Sequence, residues 1–323
     1  MIDFHSHILP ALDDGAVTID ESIAMSKALA SFGYQTVCCT PHCIKGYYDL
    51  TPQKVREATL MLQADLDNAE IRLELWPGME YMLDEYFAGF ADDLLPLGDT
   101  GLILCEAPHQ AHPGVVQESL KLIIEKGYVP LIAHPERTEH FYRTLRSRDK
   151  EQGEHCHAER GTHGEENLQD SRSFFRRLWP FASHVPRPMD RELSTSCIAL
   201  PDTCLFQANL GSFTGFYGEL VQRRAYELLK LDVYTALASD LHDGSSASKV
   251  LVSDKFATNP FLKKLAEFDG STCKPGVTSL HPETPGGTTA VFDLETSNFS
   301  QGQGNQGFER RRSPLRRTIK SAD

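Results

Sequence analysis

Basic residues are scarce in the first part of this chain. Residues 1–143 hold 22 Asp and Glu against 9 Lys and Arg, while residues 144–323 hold 23 of each, so the whole net charge of −13 lies in the first part. That imbalance argues against a nucleic-acid surface and suits cation binding, although many of these carboxylates are expected simply to be solvated. Long apolar runs are also missing. The best are Leu102–Cys105 and Val129–Ala133, far short of the ~18 residues a membrane span needs. The start, Met1-Ile2-Asp3-Phe4-His5, has neither the basic nor the apolar region of a signal peptide. A soluble, cytoplasmic chain is expected. None of the eight cysteines forms a CxxC pair, and Cys38 and Cys39 are adjacent, so they read as reduced core or incidental thiols.

What is present is a globular composition, 323 residues with 40% hydrophobic and 24% charged, enough for one large α/β barrel or two ordinary domains. Short apolar strands alternate with amphipathic helices. Strands are expected at Ile2–His5, Gln35–Cys39, Ile71–Trp76, Leu102–Cys105, Val129–Ala133, Leu205–Asn209 and Val233–Ala238. The capping box Thr18-Ile19-Asp20-Glu21 opens a helix that stops at Gly33, and Thr51-Pro52 opens one through Leu66. Further helices are expected at Val116–Lys126, closed by Gly127, and at Gly218–Leu231. About seven βα units imply a parallel sheet and suggest its closure into a barrel. The barrel is expected to occupy residues 1–256, with 144–200 as a polar insertion and 257–323 as a disordered tail ending in an arginine cluster. Within the insertion, Ser171–Trp179 is the best crossover helix, with Phe174, Phe175, Leu178 and Trp179 on one face.

Residues that carry chemistry recur where the strands end. His5-Ser6-His7 closes the first strand, and alternation puts both imidazoles on one face. Asp13-Asp14-Gly15, Thr40-Pro41-His42, Gly78-Met79-Glu80, Glu106, His134-Pro135-Glu136-Arg137 and Ser239-Asp240-Leu241-His242 follow other strands. A single such histidine is usually a structural residue, and Asp-Asp-Gly alone is an ordinary turn. Ligand-type side chains at six strand ends are hard to attribute to chance, and that end is where βα-barrel sites assemble. Histidine and carboxylate donors without thiolate suit Mn, Fe or Zn, and their number implies two or three ions. Gln207, Asn209 and Ser212 are expected to shape the pocket by hydrogen bonding, and His109 and His112 to lie on the surface.

The ordered motifs IDFHSH, DDGA, TPH, GMEYM, HPER, QANLGS and SDLH resemble those of the bacterial PHP-type (polymerase and histidinol phosphatase superfamily) protein-tyrosine phosphatases of capsule and exopolysaccharide gene clusters. The resemblance covers roughly residues 1–143 and 203–255. It implies a distorted (βα)7 barrel with a trinuclear, usually manganese, centre. His5, His7, Glu80 and Asp240 would hold the first ion; Glu80 would bridge to a second held by Glu106 and His134; Asp14, His42 and His242 would hold the third. The implied substrate is a phosphotyrosine protein, an autophosphorylating tyrosine kinase that controls polysaccharide export. Residues 144–200 and those after about 260 depart from the family pattern.

Ester hydrolysis by such a centre relies on a metal-bridged hydroxide and on charge neutralisation at the phosphoryl oxygens. Arg137 is placed for bidentate phosphate contact, with a structural ion pair to a ligand carboxylate as its alternative, and Lys45 is a weaker candidate for the same task. A phenolate with pKa ~10 leaves with little acid help, so no general acid is assigned. A histidinol-phosphate-type phosphatase would share the metals and differ in the pocket. An amidohydrolase would use a bridging lysine where Glu80 stands, and a non-catalytic scaffold would not need this ligand set. A thiolate phosphatase needs an arginine six positions after its cysteine, and no cysteine here has one.

Overall fold

The computed structural model describes residues 1–108, 112–147, 198 and 200–274. The expected helix at Ser171–Trp179 lies outside these residues, as do His109 and the arginine cluster. Among the described residues no helix is long and apolar enough to cross a membrane.

Among the described residues nine strands form two parallel sheets. In the first, β1 (Ile2–Ser6) pairs with β2 (Thr36–Cys39), and β2 with β4 (Glu74–Pro77). In the second the order is β3 (His42–Cys43), β5 (Glu80–Met82), β6 (Leu102–Glu106), β7 (Val129–Ala133), β8 (Leu205–Asn209) and β9 (Ala236–Ala238). The expected closed barrel is not formed by these ladders. The break has a local cause, since β2 runs into β3 through Thr40-Pro41 and a proline has no N–H to give a ladder. The partner chain is interrupted in register, β4 running into β5 through Gly78-Met79. A Cβ on Gly78 would stand 2.5 Å from Leu97 Cδ2, so any larger residue here would have to push the Leu97 side chain aside. Single bonds span the breaks: Gly78 N donates to Cys39 O and Glu80 N to Pro41 O. On the other flank Ser6 bridges Leu241, and Asp240 N donates to His5 O.

Local signals set most helix ends. Thr18 caps α1 (Ile19–Phe32) through Glu21 N, and Gly33 closes it in the left-handed conformation at φ +118°. Thr51 caps α2 (Pro52–Asn68), with Pro52 in its first turn. The helix α3 (Pro113–Glu125) begins three residues before the expected Val116, because the exposed His112 caps it through Nδ1. Two strands start three residues later than expected. Left-handed Glu70 and Asp232 turn the chain out of the preceding helices, and pairing begins only at Glu74 and Ala236.

The strands are apolar on both faces, as parallel strands covered by helices must be. Ile103, Cys105 and Ile132 belong to the larger core shared with the helices. Leu102, Leu104, Val129, Leu131, Ala133, Ala236 and Ala238 line a second core with Phe4, Leu97 and Cys38. The expected domain end at residue 256 falls inside the fold. Leu262, Leu265 and Ala266 join the larger core, while Phe268 and Cys273 pack on the second, beside Phe4. Sparse apolar residues concealed this segment in the sequence, yet each of these is buried or packed.

Candidate metal centre

Every residue expected to bind metal lies at one end of the sheets and within one cluster. Four groups of side chains each bring their ligand atoms within 4.8 Å of one another: His7, Asp14, His42 and His242; His5, His7 and Glu80; His5, His134 and Asp240; His42, Glu80 and Glu106. His5, His7, His42 and Glu80 each belong to two groups, so the residues form one continuous cluster and not three separate sites. Glu80, expected to bridge two ions, lies among four imidazoles. Its Oε2 lies 3.1 Å from His5 Nε2, 3.4 Å from His7 Nε2 and 3.0 Å from His42 Nδ1, while Oε1 lies 3.2 Å from His134 Nε2.

That arrangement fits a cation better than a set of direct hydrogen bonds. Glu80 Oε2 and His42 Nδ1 are buried without a hydrogen-bond partner, although they lie so close to one another. His5 Nε2 and His7 Nε2 approach to 3.0 Å, a contact between two groups that are both ligands in their neutral form. Unpartnered buried polar atoms in native folds call for an explanation, and a shared divalent ion supplies one.

The electrostatics say the same. Burial would lower the His7 pKa, but the hydrogen bond to Asp13 and the adjacent carboxylates of Asp240 and Glu80 outweigh it and hold the group well above its usual value. Burial is likewise outweighed at His42, which the charge of Glu80 and the adjacent Glu106 carboxylate push up to about 10. Burial alone would raise Glu80 and Asp240, yet His5 and the neighbouring cationic partners hold both well below the carboxylate range. The cluster therefore recruits positive charge, which protons or divalent ions can provide in competition.

Further side chains orient these candidate ligands. Asp13 Oδ2 accepts from His7 Nδ1 at 2.7 Å and from His42 N at 2.9 Å, and its Oδ1 accepts from Gly15 N at 3.0 Å. Asp14, 53% exposed, instead faces His42 and His242. Sequence reasoning named Asp14 and left Asp13 as turn chemistry; two adjacent aspartates are alike until the fold buries one. Gln207 Oε1 accepts from His134 N and contacts His5 Nδ1, as expected of a pocket-shaping residue. Buried Asp3 accepts from Ser239 N and Oγ, tying β1 to the Asp240 loop, and burial pushes its carboxyl up to about 6. His134 and Asp240 both have positive φ, at +32° and +52°. Such strained residues persist where surrounding contacts over-determine them.

Arg137 occupies the alternative weighed for it, an ion pair from Nη1 to Asp240 Oδ2 at 2.6 Å, with its side chain 30% exposed. Lys45 is not brought to the cluster by any described contact; it pairs with Asp49 at 3.1 Å and is 58% exposed. The six described cysteines are buried. Burial pushes Cys39 and Cys43 up to about 12 and Cys38 and Cys105 well above the usual thiol value, the opposite of an activated nucleophile.

Residues 1–152 match the family model described as capsular polysaccharide synthesis, CpsB/CapC. The tyrosine-protein phosphatase YwqE of Bacillus subtilis (strain 168) is 42% identical over 139 residues, which are 42% of this chain and 55% of that protein. CpsB of Streptococcus pneumoniae, also a tyrosine-protein phosphatase, is 30% identical over 139 residues, 57% of its length. The chain thus matches little more than half the length of these curated relatives. In structure it matches a chain from the crystal structures of YwqE and CpsB, described as unique metal-dependent tyrosine phosphatases, with a TM-score of 0.55 and 27% identity over 82% of this chain and 91% of that one. The first 152 residues are therefore similar in sequence to the CpsB/CapC family, and the chain is similar in fold to the solved YwqE and CpsB structures.

Proposed function

We propose that this chain is a metal-dependent protein-tyrosine phosphatase, acting on an autophosphorylating tyrosine kinase of capsule or exopolysaccharide synthesis. The observation that carries the reading is Glu80 Oε2, buried and unpartnered among three imidazole nitrogens. We read the two sheets as one distorted seven-stranded barrel, with β3 continuing β2, β5 continuing β4, and β1 meeting β9 through Ser6 and Leu241. The ligands then ring one mouth of it.

His5, His7, Glu80 and Asp240 would hold one ion, Glu80, Glu106 and His134 a second, and Asp14, His42 and His242 a third. Imidazole and carboxylate donors without thiolate suit Mn²⁺, with Fe or Zn as competitors. Bound ions would supply a nucleophile near neutral pH and offset charge on the phosphoryl oxygens. The chain's own residues do the rest. Asp13 holds the His7 ring so that Nε2, not Nδ1, faces the cluster. Gln207 fixes His5 and the His134 backbone. Arg137, anchored on Asp240, offers its remaining N–H groups on the exposed side for phosphoryl oxygens. A phenolate leaving group requires no strong acid from the protein.

Elemental analysis of the purified chain, paired with turnover of a phosphotyrosine peptide against histidinol phosphate, tests the reading. Stoichiometric metal and preference for the peptide are expected. Full activity in excess chelator would overturn it, and preference for histidinol phosphate would assign the centre to a small phosphoester.

A further inference from the structure

Three donors converge on one oxygen of Asp240. Arg137 Nη1 lies 2.6 Å from Oδ2, Asn209 Nδ2 2.7 Å and the Tyr217 hydroxyl 3.2 Å. The other oxygen, Oδ1, is turned towards His5 Nε2 at 3.2 Å, His7 Nε2 at 3.4 Å and His242 Nδ1 at 3.6 Å. A carboxylate oxygen offers about two acceptor sites, so three donors leave Oδ2 nothing to give a cation. Asp240 is divided into an anchored oxygen and a ligand oxygen.

Of the three anchors, Tyr217 belongs to none of the motifs. It touches both members of the Arg137–Asp240 pair. Its hydroxyl donates to the carboxylate, and its ring lies beneath the guanidinium, 4.5 Å from Arg137 Cζ to the ring centroid. The placement is specified by the turn after β8. Asn209 accepts from Gly211 N at 3.0 Å, which leaves its amide nitrogen for Asp240. A Cβ on Gly211 would stand 2.7 Å from Tyr217 Cε2, so glycine is what lets the ring lie against this turn. Gly215, at φ +85°, reverses the chain just before Tyr217, and Phe216 packs edge-on against the ring at 5.0 Å.

We propose that Tyr217 is a positioning residue that holds Asp240 as a one-oxygen metal ligand and fixes the orientation in which Arg137 meets the phosphate. The inference rests on the metal-dependent phosphatase reading. Partners that orient a metal ligand typically contribute about 10–100-fold in affinity.

The test is a calorimetric Mn²⁺ titration of the chelator-stripped full chain. Tyr217→Phe keeps the ring and loses the hydroxyl. It should weaken one class of Mn²⁺ site by about 10-fold, leave the others unchanged, and keep KM for a phosphotyrosine peptide near that of the parent. Tyr217→Leu also removes the surface beneath Arg137 and should raise KM as well. Gly211→Ala retains every polar partner but displaces the ring, and should reproduce the loss of Mn²⁺ affinity. Unchanged Mn²⁺ binding by Tyr217→Phe, whatever its thermal stability, would overturn the proposal and leave the phosphatase reading intact. A parent chain that binds no Mn²⁺ would overturn both. Should Tyr217→Leu fail to fold, the near-isosteric phenylalanine variant decides.

Discussion

Replacing Asp13 with asparagine changes one buried atom from acceptor to donor at the point where two ligands are held. In the parent, the carboxylate accepts from His7 Nδ1, from the His42 backbone and from Gly15 N. An amide supplies only one acceptor oxygen, so at least one of these donors faces an NH2 group. If that donor is His7, its proton moves to Nε2, the nitrogen that faces Glu80 and Asp240, and the ring ceases to be a ligand there. Mn²⁺ affinity should fall by about 10–100-fold. Stability of the metal-free protein should fall too. Although burial would raise it, the Asp13 pKa is held down to about 2 against an ordinary 3.8, chiefly by His7, which is worth roughly 2 kcal/mol. Because the folded-state pKa is the lower one, this stabilisation is present above pH ~4 and disappears as pH falls through about 2. Denaturant unfolding of the stripped parent and variant should therefore differ at pH 7 and converge towards pH 2–3. Asp14→Asn, which alters an exposed carboxylate, should weaken metal binding without that loss of stability. Mn²⁺ affinity of Asp13→Asn equal to the parent's, or a stability gap that does not narrow in acid, would refute the reasoning.

Chelation should abolish phosphotyrosine hydrolysis and Mn²⁺ should restore it, while native protein reacts slowly with Ellman's reagent at its described cysteines, which are all buried. Fast thiol modification that tracks loss of activity would contradict the metal route. Arg137→Ala should cost about 10²–10³ in kcat by removal of a preorganised donor, with a smaller loss of metal than His5→Ala, as activity and elemental analysis together will read. Lys45→Ala should change kcat/KM by less than about 2-fold, since its exposed pair with Asp49 is worth at most ~1 kcal/mol. Truncation after Phe256 should lower the melting temperature sharply, because it strips Leu262 and Leu265 from the core at about 1.5–3 kcal/mol each; an unchanged melting temperature would place the end of the domain at 256 after all.

Periodicity and end signals determined the element order, because burial on parallel strands and unpaired helix termini act on neighbours in sequence. Val129–Ala133, Leu205–Asn209 and the Thr18 and Thr51 caps were all legible for that reason. The gathering of the candidate ligands was legible as well, since most strands deliver a histidine or carboxylate at the same end. Helix exits through left-handed Glu70 and Asp232 were not, because nothing in those residue types demands the conformation. Neither was the packing of residues 260–273, whose few apolar side chains matter only once a core exists to receive them.

Tertiary structure alone chose between chemically identical candidates. Asp13 and Asp14 differ only in which is buried against His7. Arg137 stands in the sequence as a phosphate contact or a structural partner, and the approach of Asp240, distant in sequence, commits one of its nitrogens to the second role. Tyr217 carries no signal at all until Gly211 makes room for its ring. A side chain's chemical type is local information; which partner reaches it within hydrogen-bond distance depends on how strands remote in sequence are brought together.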